Sequence, residues 1–275
     1  MANCFELREK AREIRIRSLE AVYHAKSGHL GGSFSAAEMI AALYFEILSI
    51  RPEAPQWEDR DRFVLSKGHA APALYAALAM KGFFPLEDLD RLRMADSHLQ
   101  GAPNMKTPGI DMSSGPLGQG LSAAVGMALG SRVLKKDFNV WCMIGDGELQ
   151  EGQIWEAAMT AAKYRLNNLV CILDHNKVQM SGTNDELMPI GNVRDKFAAF
   201  GWRIVGIENG NDIAEVTEVF QHVFDPEDER PVAVIAETVK GRGVSYMEGR
   251  AAWHGAVPNN EQFAAAMEEL KEGLK

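Results

Sequence analysis

The sequence predicts an α/β fold in which a parallel β-sheet is sandwiched by helices. Three observations carry that prediction. Short apolar runs rich in β-branched residues recur from about residue 118 onward, helix-length segments separate them, and no repeat, low-complexity tract or Gly/Ser linker divides the chain. An alternation of strand and helix places parallel strands side by side with helices over both faces. The undivided pattern predicts a single domain over 1–275.

The N-terminal segment is charged and helix-like. After it, Ser35 and Glu38 have the Ser-x-x-Glu spacing of a capping box, which predicts a helix whose Ile40, Leu43, Tyr44 and Ile47 face the core. Residues 121–129 are rich in Ala and Gly, suited to close packing against another helix or subunit. The buried strands are read at 138–144 (FNVWCMI), 169–173 (LVCIL), 202–207 (WRIVGI) and 232–236 (VAVIA). Helices are read at 153–166 and 212–224, the second with Ile213, Val216, Phe220 and Val223 at helical spacing.

Composition excludes several classes of function. Of 275 residues, 46% are hydrophobic and 24% charged, which fits a packed chain and excludes a disordered or collagenous one. The net charge of -9 provides no basic field for nucleic acid or an anionic bilayer, so any phosphate must be held locally. Three cysteines cannot form a closed disulfide set, which points to a reducing cytoplasm. The N-terminus lacks an apolar targeting core, and no run of eighteen apolar residues predicts a membrane span.

The sharpest local signal is Gly145-Asp146-Gly147, placed where a buried strand stops, at the sheet edge where α/β folds bind ligands. Flanking glycines admit close backbone approach, and the unpaired Asp146 suits a hard, oxygen-seeking cation that bridges to phosphate. The next strand ends in Asp174-His175-Asn176-Lys177-Val178, so Asn176 can converge with Asp146 on one ion. The competing reading of a lone Gly-Asp-Gly is a tight turn. Three of the seven histidines, His29, His69 and His254, adjoin glycine, where a substrate has room and imidazole can donate, accept or move a proton. Zinc ligation is the rival, but no HxxxH, HExxH or CxxC spacing supports it.

The segment GDGELQEGQIWEAAMTAAKYRLNNLVCILDHN resembles the thiamine diphosphate motif of transketolases. SGHLGGSFSAAEMIAALYF, DRFVLSKGHAAPALYAAL, TPGIDMSSGPLGQGLSAAVGMALG and VKGRGVSYMEGRAAWHG resemble further segments in the family's order, covering nearly the whole chain. The resemblance implies the thiamine diphosphate-binding fold and transfer of a two-carbon ketol unit from a ketose, or ketose phosphate, to an aldose. It implies Mg²⁺ (or Ca²⁺ or Mn²⁺) held by Asp146, Asn176 and the Val178 carbonyl, with the Gly147 amide on the diphosphate. Gly115 and Leu117 would face the cofactor rings and Glu151 would lie near a subunit contact. His29, His69 and His254 would line the substrate channel, the latter two also touching cofactor. A turn before a helix at 115–117, and an ordinary helix-start acid at Glu151, are the plainer alternatives.

One departure stands out: transketolases carry Gly-His-Pro where this chain reads Gly101-Ala102-Pro103. That puts the donor sugar in question, and His98 nearby reads as a surface-loop residue. The resemblance also implies a pyrimidine-binding half on another chain, a C-terminal subunit in an α2β2 assembly. The α-subunit of a 2-oxoacid dehydrogenase and deoxyxylulose phosphate synthase are alternatives that GPLGQG and SKGHA argue against. A non-catalytic cofactor-binding subunit is a third, which the channel histidines oppose.

Overall fold

The computed structural model describes residues 3–273. Its strands are β1 (Arg62–Leu65), β2 (Val140–Gly145), β3 (Leu169–His175), β4 (Arg203–Ile207) and β5 (Val232–Glu237). They form one sheet, order β1-β2-β3-β5-β4, with every neighbouring pair parallel. The helices are α1 (Cys4–Ala25), α2 (Gly31–Ser35), α3 (Ala37–Ala42), α4 (Ala71–Lys81), α5 (Gln119–Val133), α6 (Gly152–Lys163), α7 (Asn184–Leu187), α8 (Val193–Ala199), α9 (Ile213–Gln221) and α10 (Asn260–Glu272).

The apolar runs are strands because both of their faces are buried, as a doubly covered parallel sheet requires. Along β2, Trp141 and Met143 enter one core while Val140, Cys142 and Ile144 enter the other. Along β3, Val170 and Ile172 alternate in the same way with Cys171 and Leu173. Helices α1, α3, α4 and α9 cover the first face, and α5, α6 and α8 the second. Ile213, Val216 and Phe220 are the buried face of α9, and each such side chain contributes about 1.5–3 kcal/mol of burial energy. Asp212 caps that helix by accepting from the Ala214 N–H at 3.0 Å.

Two local expectations are corrected. Ser35 does not cap: α3 begins after Ala36 with no side-chain cap. The Ser35 hydroxyl instead donates to the buried Asp174 Oδ2 at 2.7 Å, and Glu38 is drawn into a buried pair with Arg15 at 2.6 Å. The helical region is broken into α2, which ends at Ser35, then α3 and a π-turn at Leu43–Ile47, although Ile40, Leu43 and Tyr44 are buried as expected. The second correction is β1, which lies before residue 118, where no strand was expected.

Cys142 and Cys171 are paired in register on adjacent strands as buried free thiols, and Cys4 is free and exposed. Among the described residues no helix is long and apolar enough to cross a membrane. The register then positions the site: Gly145 of β2 lies opposite Asp174 of β3, so the Asp146 and Asn176 segments leave the sheet side by side.

Candidate active site

A cleft of about 400 Å³ opens at the carboxyl edge of β1, β2 and β3. Asp146, Gly147, Asn176 and Val178 line it from the ends of β2 and β3. His29 enters from the segment after α1, His69 from the short 3₁₀ turn after β1, and His254 from the turn at Ala251–His254. Gly115 and Leu117 line it from the turn before α5, and Glu151, at the start of α6, from the rim. All ten residues singled out in the sequence therefore face one cavity.

Asp146 is buried, and its oxygens accept from the Gly147 N–H at 2.8 Å and from the Lys177 N–H. Burial, together with the neighbouring Asp174, pushes its carboxyl above the usual range. Asn176 donates through Nδ2 to Asp174 Oδ2 at 3.1 Å, and its Oδ1 accepts from the Val178 N–H at 3.2 Å. A carboxylate, an amide oxygen and the Val178 carbonyl make a hard-cation donor set. The strained ionisation of Asp146 is what a divalent ion would relieve. Among the described residues no group of three or more His, Cys, Asp or Glu side chains is placed to hold a metal ion.

The three histidines form one cluster, with ring centroids 5.6 Å apart for His29 and His69, 5.3 Å for His29 and His254, and 4.8 Å for His69 and His254. All three are pushed down. Burial and then Arg93 and Lys240 lower His29, while burial and then Lys67 and His254 hold His69 well below its ordinary value. Burial and then Lys240 take His254 to about 3. Imidazoles that stay neutral at physiological pH serve as hydrogen-bond partners for substrate oxygens. Arg93 Nη1 donates to Ser27 Oγ at 2.6 Å, and Nη2 lies 3.4 Å from His29 Nδ1, which bridges the cluster to the loop after α4.

Sequence reasoning missed four charged residues here. Lys67 and Asp174 are a fully buried ion pair; Lys67 also donates to the Gly32 carbonyl at 2.8 Å. Burial opposes ionisation of Asp174, but Lys67 and hydrogen bonds from Thr238 and Ser35 outweigh it and hold the carboxyl below its usual range. Lys240 donates to the Val178 carbonyl at 2.7 Å, the Gln179 carbonyl at 3.0 Å and His254 Nδ1 at 2.9 Å, and burial lowers it to about 8. Glu148 is buried beside the Gly-Asp-Gly loop. The only sequence signal for any of them was proximity to the motifs.

The departure at residue 102 lies at the cleft's edge. Ala102 Cβ would be 3.3 Å from a Cβ placed on Gly115, and its carbonyl accepts from the Tyr75 hydroxyl at 2.8 Å. His98 does not replace the missing imidazole: its Nε2 is 3.0 Å from Asp88 Oδ2, its ring stands edge-on to Phe84, and it is outside the cleft. It is half-buried and partnered, not a free surface histidine.

A parallel sheet with a glycine-edged, oxygen-lined cleft at its carboxyl end defines a class of α/β proteins that bind phosphorylated ligands at that edge. Residues 7–273 match the family described as "Transketolase, thiamine diphosphate binding domain". The chain is 44% identical over 261 residues to one of the subunits of apulose-4-phosphate transketolase from Phocaeicola vulgatus, covering 95% of this chain and 92% of that protein. It is 44% identical over 270 residues to 6-deoxy-6-sulfo-D-fructose transketolase subunit SqwG of a Clostridium species, covering 98% of each. The transketolase structure from Campylobacter jejuni superposes with a TM-score of 0.92 at 32% identity, over 98% of this chain and 43% of that one. The chain belongs to the transketolase family, as its N-terminal, thiamine diphosphate-binding part. It thus spans less than half of that transketolase chain and nearly all of these two relatives named as subunits.

Proposed function

We propose that this chain is the N-terminal subunit of a split transketolase, transferring a two-carbon ketol unit from an anionic ketose donor to an aldose acceptor. The observation that carries the reading is the convergence of all ten family-matched residues on one cleft. Relatives named for a 4-phosphate and a 6-sulfo sugar favour a donor bearing a terminal anion.

Bound thiamine diphosphate would supply the carbanion chemistry of ketol transfer, which no side chain of this chain can. Asp146, Asn176 and the Val178 carbonyl would hold Mg²⁺ (Ca²⁺ or Mn²⁺ being chemically similar), and the Gly147 N–H would take a diphosphate oxygen. Gly115 and Leu117 would lie against the rings. His69 and His254 would donate to cofactor and substrate oxygens, and His29, steadied by Arg93, would bind donor hydroxyls and pass protons at its ring nitrogen. Lys240 holds the Val178 carbonyl that the metal would use, so metal entry would share or displace that contact. Glu151, at the exposed rim, would face a partner chain.

Several relatives are themselves named as single subunits of a transketolase, which supports a partner, read here as a C-terminal, pyrimidine-binding subunit in an α2β2 assembly. The continuous sheet supports one domain over 1–275, of which 1–2 and 274–275 are outside the described residues. Three unpaired cysteines support the cytoplasm. Ketol transfer is assayed with thiamine diphosphate and Mg²⁺, with and without a C-terminal-type subunit. The reading predicts turnover only with both chains, and substantial turnover by this chain alone would refute the split arrangement.

A further inference from the structure

We infer that Glu148 is a positioning residue that sets the span of the cleft between the ring-facing turn and the diphosphate loop. The inference rests on the thiamine diphosphate reading of the same site. Glu148 is 2% exposed and, among the described residues, has no ion-pair partner, a costly state for a carboxylate. Three donors compensate it. Oε1 accepts from the Gly118 N–H at 2.8 Å and from the Ser66 hydroxyl; Oε2 accepts from the Gly145 N–H at 3.0 Å.

Those donors belong to three separate segments: Ser66 follows β1, Gly118 precedes α5, and Gly145 ends β2. Gly118 adopts φ +86°, a left-handed conformation that favours glycine and turns its N–H onto the carboxylate at the start of α5. The Ser66 hydroxyl is shared: it also accepts from the Gly120 N–H at 3.1 Å, and a Cβ at residue 120 would collide with that oxygen. The turn carrying Gly115 and Leu117 is therefore strung between two anchors. At one end Ser114 donates to the Leu65 carbonyl at 2.7 Å, and at the other Gly118 donates to Glu148. The same carboxylate grips Gly145, immediately before Asp146 and Gly147. One side chain thus fixes the distance between the two ends of the site, the preorganisation that a ligand touching both ends requires.

Glu148→Gln is nearly isosteric but presents an NH₂ where one buried N–H needs an acceptor. The test compares two probes by calorimetry at saturating Mg²⁺, on the complex with the C-terminal subunit. Thiamine diphosphate reaches both ends of the site, whereas inorganic pyrophosphate reaches only the diphosphate end. The inference predicts that thiamine diphosphate affinity falls about 10- to 100-fold, a loss typical of residues that orient a ligand's direct contacts, and pyrophosphate affinity falls several-fold less. Equal weakening of both probes would mean general damage and would overturn it, as would no change in either. Should the variant not fold, Ser66→Ala removes one donor and carries the same comparison with a smaller expected difference. If the unaltered complex binds pyrophosphate but not thiamine diphosphate, the cofactor reading fails and this inference with it.

Discussion

Replacing Asp146 with Asn separates metal binding from folding, because the side chain keeps its shape and loses its charge. Two backbone N–H groups, from Gly147 and Lys177, converge on the carboxylate. The amide can accept from one and opposes the other, which costs about 1.5–3 kcal/mol for a lost charged hydrogen bond. Against that loss, the substitution removes a buried charge that burial and Asp174 already disfavour. The two effects nearly offset, so unfolding should shift by no more than about 2 kcal/mol, roughly 4–8 °C in a chain of this size. Metal binding has no such compensation: Asp146 is the sole carboxylate of the proposed donor set, and loss of a ligand should weaken Mg²⁺ by at least about 100-fold. The assay titrates Mg²⁺ at fixed thiamine diphosphate and follows cofactor binding, with thermal unfolding measured in parallel. An unchanged Mg²⁺ midpoint in a folded variant would refute the reasoning and return the Gly-Asp-Gly loop to a simple turn.

Other outcomes follow from neighbouring contacts. Lys67→Met leaves Asp174 buried without its cation and should destabilise the chain by about 3–5 kcal/mol, read by denaturant unfolding; a loss under about 1 kcal/mol would show that Ser35 and Thr238 suffice. The three lowered histidines bind protons first in the unfolded chain, so stability is full above about pH 6.5 and falls as pH drops toward 3. Between about pH 6.5 and 5, half-buried His254 should cost about 1 kcal/mol after allowance for solvent screening, and His29 and His69 act in the same direction; stability that rises on acidification would contradict this. Ala102→His places an imidazole beside Gly115 and should improve use of ordinary pentulose phosphate donors, measured as kcat/KM; an unchanged value would show that another group already fills that role.

The sheet was legible because buried strands announce themselves as apolar runs, and β2, β3, β4 and β5 lie within a residue or two of the expected positions. β1 was not, since its four residues run directly into the Ser66-Lys67-Gly68 turn and leave no separate apolar block. The Ser35 capping box failed for a tertiary reason: local hydrogen-bond chemistry lost to the buried Asp174, 139 residues away, and Glu38 was claimed by Arg15. The charged framework of the site was illegible on the same ground. Lys67 meets Asp174 across 107 residues and Ser66 meets Glu148 across 82, so no window of sequence contains both partners. Residues expected to touch ligand were readable from Asp146 and Asn176 at strand ends and from histidines beside glycine, whereas those that hold the loops in place became visible only in the fold.

Crystals of the complex grown with thiamine diphosphate and Mn²⁺ test the central claim most directly, through the anomalous signal of the metal. The account predicts one peak bounded by the Asp146 carboxylate, Asn176 Oδ1 and the Val178 carbonyl, with the diphosphate on its open side. Bound thiamine diphosphate with the metal elsewhere, or with no metal at all, would contradict it.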